Sequence, residues 1–255
     1  MKKKVLILIA VRLKSKRLKN KALLNLYDEP LIIKLTKRLK KTKLCSSIIW
    51  CTSKFKSDDR LAILAKKNGI EIFRNDPLDV MKRFILAAEK YKAQNIVRVT
   101  GDNPLTDPKV IDHMIQNHLK KKLDYTSCND IPFGARSEVI RVNALKKCHK
   151  MLADPKSSEY MTWMLNKPKF FKVKDLKCLD KNIRRPEISL TIDYLQDFQN
   201  LKTIYNHYKG NVPSLNILIK WIDSQKKLLS KLKKKRKVKK PKNINVDFKN
   251  KYNEK

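Results

Sequence analysis

Glycine is scarce, with 4 residues in a chain of 255. Neither G-x-G-x-x-G nor G-x-x-x-x-G-K occurs, which excludes the two common glycine-rich nucleotide fingerprints. The five cysteines (Cys45, Cys51, Cys128, Cys148, Cys178) are odd in number and include no C-x-x-C pair. That pattern argues against a disulfide framework or a zinc site and for a reducing cytoplasm. The longest apolar run is Val5–Val11, far short of the roughly 20 residues that span a bilayer. Arg12, Lys14 and Arg17 follow it where a secretory cleavage site would fall. Acidic residues are few as well: 24 against 61 Lys and Arg, for a formal net charge of +37.

What is present reads as a folded chain. Apolar residues make up 42%, too many for a disordered segment even at this charge. A pI near 10.1 is a flag for nucleic-acid binding. Yet arginine supplies only 12 of the basic residues, and lysine is a solvated point charge rather than a base-reading fork. Aromatic residues do not interleave with the basic runs, as a single-strand stacking platform requires. The charge therefore reads as lysines on solvent-facing helix sides. Residues 1–230 are expected to form one domain, and 231–255 a basic, disordered tail that binds polyanions or a membrane surface weakly.

Val5–Ala10 reads as a strand buried on both faces. A basic loop follows, Arg12 to Lys21, then a helix opened by Pro30. Strands at Ile48–Cys51, Ile70–Phe73 and Asn95–Val99 alternate with helices, one capped by Ser57 and one over Pro77–Ala93. This βαβ alternation predicts an α/β fold with a mostly parallel sheet and helices on both faces. The second half is less regular. Strands are expected at Asp124–Ser127, Phe170–Lys174 and Ile188–Ile192, and helices at Val142–Leu152, Ser157–Asn166, Leu195–Tyr208 and from Pro213 to Leu229.

Ligands of open parallel sheets bind outside the carboxyl ends of the strands. The loop after the first strand carries Arg12, Lys14, Ser15, Lys16, Arg17, Lys19 and Lys21, a set suited to a polyphosphate. Asp102 follows the fourth strand and Asp193 a later one, while Asp107 fits the capping of a helix at Pro108. Two carboxylates facing a polyphosphate loop suit Mg²⁺, which commonly takes one or two carboxylates plus substrate phosphates. The histidines (His113, His118, His149, His207) show no partner spacing and read as surface or packing residues.

The segment Ile9-Ala10-Val11-Arg12-Leu13-Lys14-Ser15-Lys16-Arg17-Leu18-Lys19-Asn20-Lys21, with Glu29-Pro30-Leu31, resembles the opening of the cytidylyltransferases that activate sugar acids. Cys51-Thr52-Ser53, Asp79-Val80-Met81-Lys82-Arg83-Phe84 and Arg98-Val99-Thr100-Gly101-Asp102-Asn103-Pro104-Leu105 are most similar to their spore coat polysaccharide SpsF-like branch. Gly134 with Glu138, and Leu190-Thr191-Ile192-Asp193 with Asp197-Phe198, continue the resemblance, which covers residues 4–208. Three departures stand out: Lys19-Asn20 replaces the usual Pro-Gly, Lys14 a common Gly, and Glu29 a Lys.

The resemblance implies a Rossmann-like nucleotide-diphospho-sugar transferase fold. It implies transfer of CMP from CTP to a sugar acid or related hydroxyl, in a cytoplasmic homodimer making surface-polysaccharide precursors. Arg12, Lys21 and Asp102 are then the catalytic candidates, with Ser15, Arg17, Thr52, Ser53 and Thr100 beside the nucleotide. Asp79, Arg83, Gly134 and Glu138 fall on the acceptor side, and Asp102 and Asp193 hold Mg²⁺. Competing readings are another nucleotidyltransferase or glycosyltransferase, and a non-enzymatic polyanion-binding protein. A glycosyltransferase usually carries an Asp-x-Asp motif, whereas position 104 here is Pro.

Overall fold

The computed structural model describes residues 4–15, 17–233, 248, 249 and 252. β1 (Val5–Ala10) leads into a long loop, a 3-10 turn at Lys21–Leu23 and a short hairpin of β2 (Asn25–Leu26) and β3 (Glu29–Pro30). There follow α1 (Leu31–Leu39), β4 (Ser47–Ser53), α2 (Asp59–Lys67), β5 (Glu71–Asn75), α3 (Val80–Lys90), β6 (Asn95–Thr100) and α4 (Pro108–Lys120). The second half adds β7 (Tyr125–Ser127), β8 (Glu138–Arg141), α5 (Val142–Met151), α6 (Met161–Leu165) and β9 (Val173–Asp175). It closes with α7 (Leu195–His207), α8 (Leu215–Ser224) and α9 (Lys226–Leu232).

The main sheet has seven strands in the order β5-β4-β1-β6-β8-β7-β9. β5, β4, β1 and β6 are parallel, β8 runs antiparallel between β6 and β7, and β9 is parallel to β7. The fold is the α/β architecture expected. Its two faces bury separate cores, because alternate residues of β1 point opposite ways. Ile7 and Ile9 pack with Leu35, Leu61, Ile111 and Leu201, while Leu6 and Leu8 pack with Phe84, Leu145 and Met164. The carboxyl ends of β1, β4, β5 and β6 share one edge of the sheet with the amino end of β8.

Several elements differ from expectation, each for a local reason. Ser57 lies in a 3-10 turn, Lys56–Asp58, and α2 starts after Asp58. α3 starts late because Asp79 accepts the Lys82 N–H as its cap. The helix expected at Ser157–Asn166 is a 3-10 segment, Pro155–Tyr160, followed by α6. Ile188–Ile192 forms only single bridges, at Ser189 to Phe133 and at Ile188 to Lys233. The final helix is two, broken at Gln225. Asn20 has φ +53, a left-handed backbone that Asn tolerates better than most residues. The position where the resembled pattern carries glycine is thus left-handed here, and Lys14 is not among the residues with positive φ.

The expected domain boundary at 230 falls inside α9, and two later side chains pack on the domain. Leu232 is buried, and Phe248 is 1% exposed, edge-on to Phe170 at 5.1 Å and bridged to Leu152. The rest of the expected basic tail, 234–247, 250, 251 and 253–255, lies outside the described residues, as does Lys16. Phe248→Ala should therefore lower stability by about 3 kcal/mol, read as a fall in melting temperature; an unchanged melt would show that this aromatic contact is dispensable.

Gly134 has φ +95, and a Cβ there would lie 2.3 Å from the Thr191 nitrogen. The segment 188–192 is laid directly across it, with Leu190 N–H donating to the Phe133 carbonyl at 2.6 Å. Gly134→Ala should cost ~2 kcal/mol or more through backbone strain, lowering the melting temperature by roughly 4–8 °C. A melt within a degree of wild type would refute the close approach.

Candidate active site

The long loop after β1 and the turn after β6 are fastened together at their roots, where Gly101 N–H donates to the Ala10 carbonyl at 2.8 Å. Asp107 caps α4 through the Lys109 and Val110 N–H groups, which leaves Asp102 to the cleft. The Ile192 N–H donates to the Asp102 carbonyl at 3.0 Å, drawing Asp193 to the same edge. Asp193 does not cap α7. The Asp197 carboxylate does, accepting the N–H groups of Asp193 and Tyr194 at 3.1 and 3.0 Å.

Lys21 is the centre of the arrangement. Its Nζ lies 2.7 Å from Asp102 Oδ2 and 3.7 Å from Asp193 Oδ1, and donates to the Ile192 carbonyl at 2.9 Å. Two carboxylates far apart in the chain thus converge on one cation. Arg17 pairs with Asp193 at 2.7 Å and sits over the Tyr194 ring at 5.6 Å. Arg12 pairs with Glu159 Oε2 at 3.1 Å, reaching across to the 3-10 segment. Burial opposes ionisation of Asp102. The Lys21 charge and hydrogen bond, with a hydrogen bond from Thr100, outweigh it and hold the carboxyl below its ordinary value.

The donor set suits a divalent cation. Both carboxylates already share a positive group, and among the described residues no cluster of three or more His, Cys, Asp or Glu is placed to hold a metal. Phosphate oxygens would have to complete the coordination, as is usual for Mg²⁺.

Other candidates are placed differently. Thr52 and Ser53 are buried, and both hydroxyls donate to Asp58, not toward the cleft. Ser15 sits in the loop, its N–H donating to the Leu13 carbonyl at 2.9 Å. Thr100 accepts a hydrogen bond from Asn103. Asp79 is a clasp: besides capping α3 it accepts from Ser158 Oγ at 2.8 Å and meets His149 Nε2 at 2.6 Å. Arg83 is buried and donates to the carbonyls of Asp76, Pro77 and Cys51. Glu138 lies opposite Arg98 in the ladder and accepts from Arg98 at 2.6 Å, from Tyr125 at 2.7 Å and from Thr162. Gly134 serves the close backbone approach described above. Asp79, and Glu138 together with Arg98, therefore anchor the segment that carries Glu159, whereas Arg83 braces the turn before α3. Glu29 turns away to Lys34 and Lys37.

Sequence reasoning gave no role to Asp58 or Glu159, none to Asp197 beyond its place in the resemblance, and only a surface or packing one to His149; the Glu159 partner lies 147 residues away. Asp197 alone carried a local signal, four residues after Asp193 at a helix start. His118 is buried between Thr126 and Asn95, a packing role as expected. Burial pushes the thiols of Cys45, Cys51 and Cys148 up to about 12.

A cationic loop facing carboxylates at the carboxyl edge of a mostly parallel sheet is the layout of a nucleotide-binding transferase. Comparison with known proteins narrows this: the chain belongs to the cytidylyltransferase family, which it matches over residues 6–244. It is 37% identical to an uncharacterised protein of Methanocaldococcus jannaschii, covering 80% of this chain and 84% of that one. It is 32% identical to the spore coat polysaccharide biosynthesis protein SpsF of Bacillus subtilis, covering 79% and 86%. A solved cytidylyltransferase from Leptospira borgpetersenii superposes with a TM-score of 0.80 at 25% identity, covering 94% of this chain and 100% of that one. No helix among the described residues is long and apolar enough to cross a membrane.

The Lys21–Asp102 pair has a defined pH signature. The folded-state value of Asp102 lies below the ordinary 3.8, so its stabilisation is fully present above that value and fades as pH falls through the folded one. In Lys21→Met the carboxyl should titrate at higher pH, followed by carbon NMR, and the acid limb of the stability curve should move up with it. An unchanged titration would show that the ammonium does not hold the carboxylate.

Proposed function

We propose that this chain transfers CMP from CTP to the hydroxyl of a small sugar acid, releasing pyrophosphate, in the synthesis of a surface-polysaccharide precursor. The observation that carries the reading is Lys21 held between Asp102 and Asp193, flanked by Arg12 and Arg17. Family membership supports the cytidylyl group, and the likeness to SpsF supports the polysaccharide setting. Dependence on CTP, a cytoplasmic metabolite, makes the cytoplasm its place of action.

In the cleft Arg12, Arg17 and Lys21 are each paired with a carboxylate. The incoming triphosphate takes their place: Arg12 leaves Glu159, Arg17 leaves Asp193, and both close on phosphate oxygens. Lys21 moves from carboxylate to phosphate, and charge-assisted bonds of this kind are worth about 1.5–3 kcal/mol each. The acceptor oxygen then bonds to the α-phosphorus as the bond to the β-phosphate oxygen breaks, so alignment and charge neutralisation are the main demands. Asp102 and Asp193, with phosphate oxygens, would hold Mg²⁺, which would withdraw charge from the reacting phosphate.

Pyrophosphate release measured with each nucleoside triphosphate, Mg²⁺ and a panel of sugar acids tests the assignment. Turnover is expected with CTP, falling by about a hundredfold or more in Asp102→Asn with the melting temperature within a few degrees. That is ~2.7 kcal/mol of barrier. Release with another nucleotide only, or full activity in Asp102→Asn, would overturn it.

A further inference from the structure

We infer that Asp58 is a positioning residue that shapes the phosphate loop from outside, in place of the glycines this chain lacks. The inference rests on the nucleotide role given above to the loop after β1. Asp58 is 1% exposed and lies in the turn before α2, on a different βαβ unit from the loop. Its Oδ1 accepts the Leu13 N–H at 2.8 Å. Its Oδ2 accepts Thr52 Oγ1 at 3.0 Å, the Ser53 N–H at 3.3 Å and the Ser53 hydroxyl. One carboxylate thus ties the root of the phosphate loop to the carboxyl end of β4.

The remaining contacts make this tie consequential. Leu13 is itself buried, and its carbonyl accepts the N–H groups of Ser15 and Asn20 at 2.9 and 3.3 Å. Leu13 is therefore the pivot of the turn that separates Arg12 from Arg17 and Lys21. A glycine-rich loop reaches its phosphate-cradling shape through its own backbone freedom. Here the shape is imposed by a buried acceptor, with Thr52 and Ser53 acting through it. Asp58 touches no substrate.

Asp58→Asn isolates the effect. Leu13 N–H and Ser53 N–H can only donate, and they use opposite oxygens. The single oxygen of an amide can serve one of them, so the tie opens at one end while volume is kept. Calorimetric titration of CTP with Mg²⁺ should show about tenfold weaker binding by Asp58→Asn. Hydrogen exchange at the Leu13 amide, followed by NMR, should accelerate by tenfold or more at an unchanged global melt. Unchanged Leu13 exchange, or unchanged CTP affinity in a folded Asp58→Asn protein, would overturn the role.

If wild type binds no CTP while the Leu13 amide still loosens in Asp58→Asn, the functional reading fails and the tie stands. Should Asp58→Asn not fold, wild type alone decides. Its Leu13 amide must exchange at least tenfold more slowly than the exposed amides of Lys14 and Arg17, and equal rates refute the tie.

Discussion

The convergence of two carboxylates on the Lys21 ammonium is the interaction on which the rest of the cleft depends. Like charges brought together at the edge of a sheet repel strongly where water is partly excluded. Asp102 and Asp193 can approach only because a cation stands between them. The same logic runs outward. Asp197 takes over the capping of α7 so that Asp193 can face the cleft, and Gly101 is pressed against Val11 so that loop and turn share one wall. The excess positive charge of the sequence has its functional expression in this cluster, where Arg12, Arg17 and Lys21 each meet an acid.

Much of the frame was legible because its physics is local. A run such as Val5–Ala10, without polar alternation, can only be a strand covered on both faces, and it is. Asp102 was readable as a residue at a strand end with Asp107 as the better cap, whereas the strand expected before Asp193 forms single bridges instead. What stayed hidden depends on partners far along the chain. β8 is four residues, Glu138–Arg141, charged at both ends, and shows no strand pattern of its own until Arg98 is found opposite Glu138. Asp79 and Thr52 looked like substrate contacts since polarity near a strand end is all the sequence displays. Their buried partners, His149 and Ser158 for one and Asp58 for the other, assign them to holding the walls instead.

Ile188–Ile192 shows the opposite failure. Its apolar pattern promises a strand, but it lies across Gly134 and meets Asp102 by a backbone bond, so its hydrogen bonds go to turns rather than to a ladder. The packing of Phe248 left no sign in the sequence: it follows a long basic stretch, and a single aromatic carries no periodicity by which to place it. Its burial beside Phe170 and Leu152 brings the far end of the sequence back onto the face opposite the cleft loop.

Asn20, sitting with φ +53 where relatives of this pattern place glycine, changes what the unfolded chain gives up on folding. Glycine roams over more backbone conformations than asparagine, so a turn built on Asn forfeits less entropy when it orders. A cleft loop so constrained arrives at nucleotide with its geometry already fixed, and the affinity it delivers is not spent on freezing its own backbone. Rigidity of this kind also narrows what fits: a loop that cannot remould itself around a misplaced phosphate selects its ligand by shape as much as by charge.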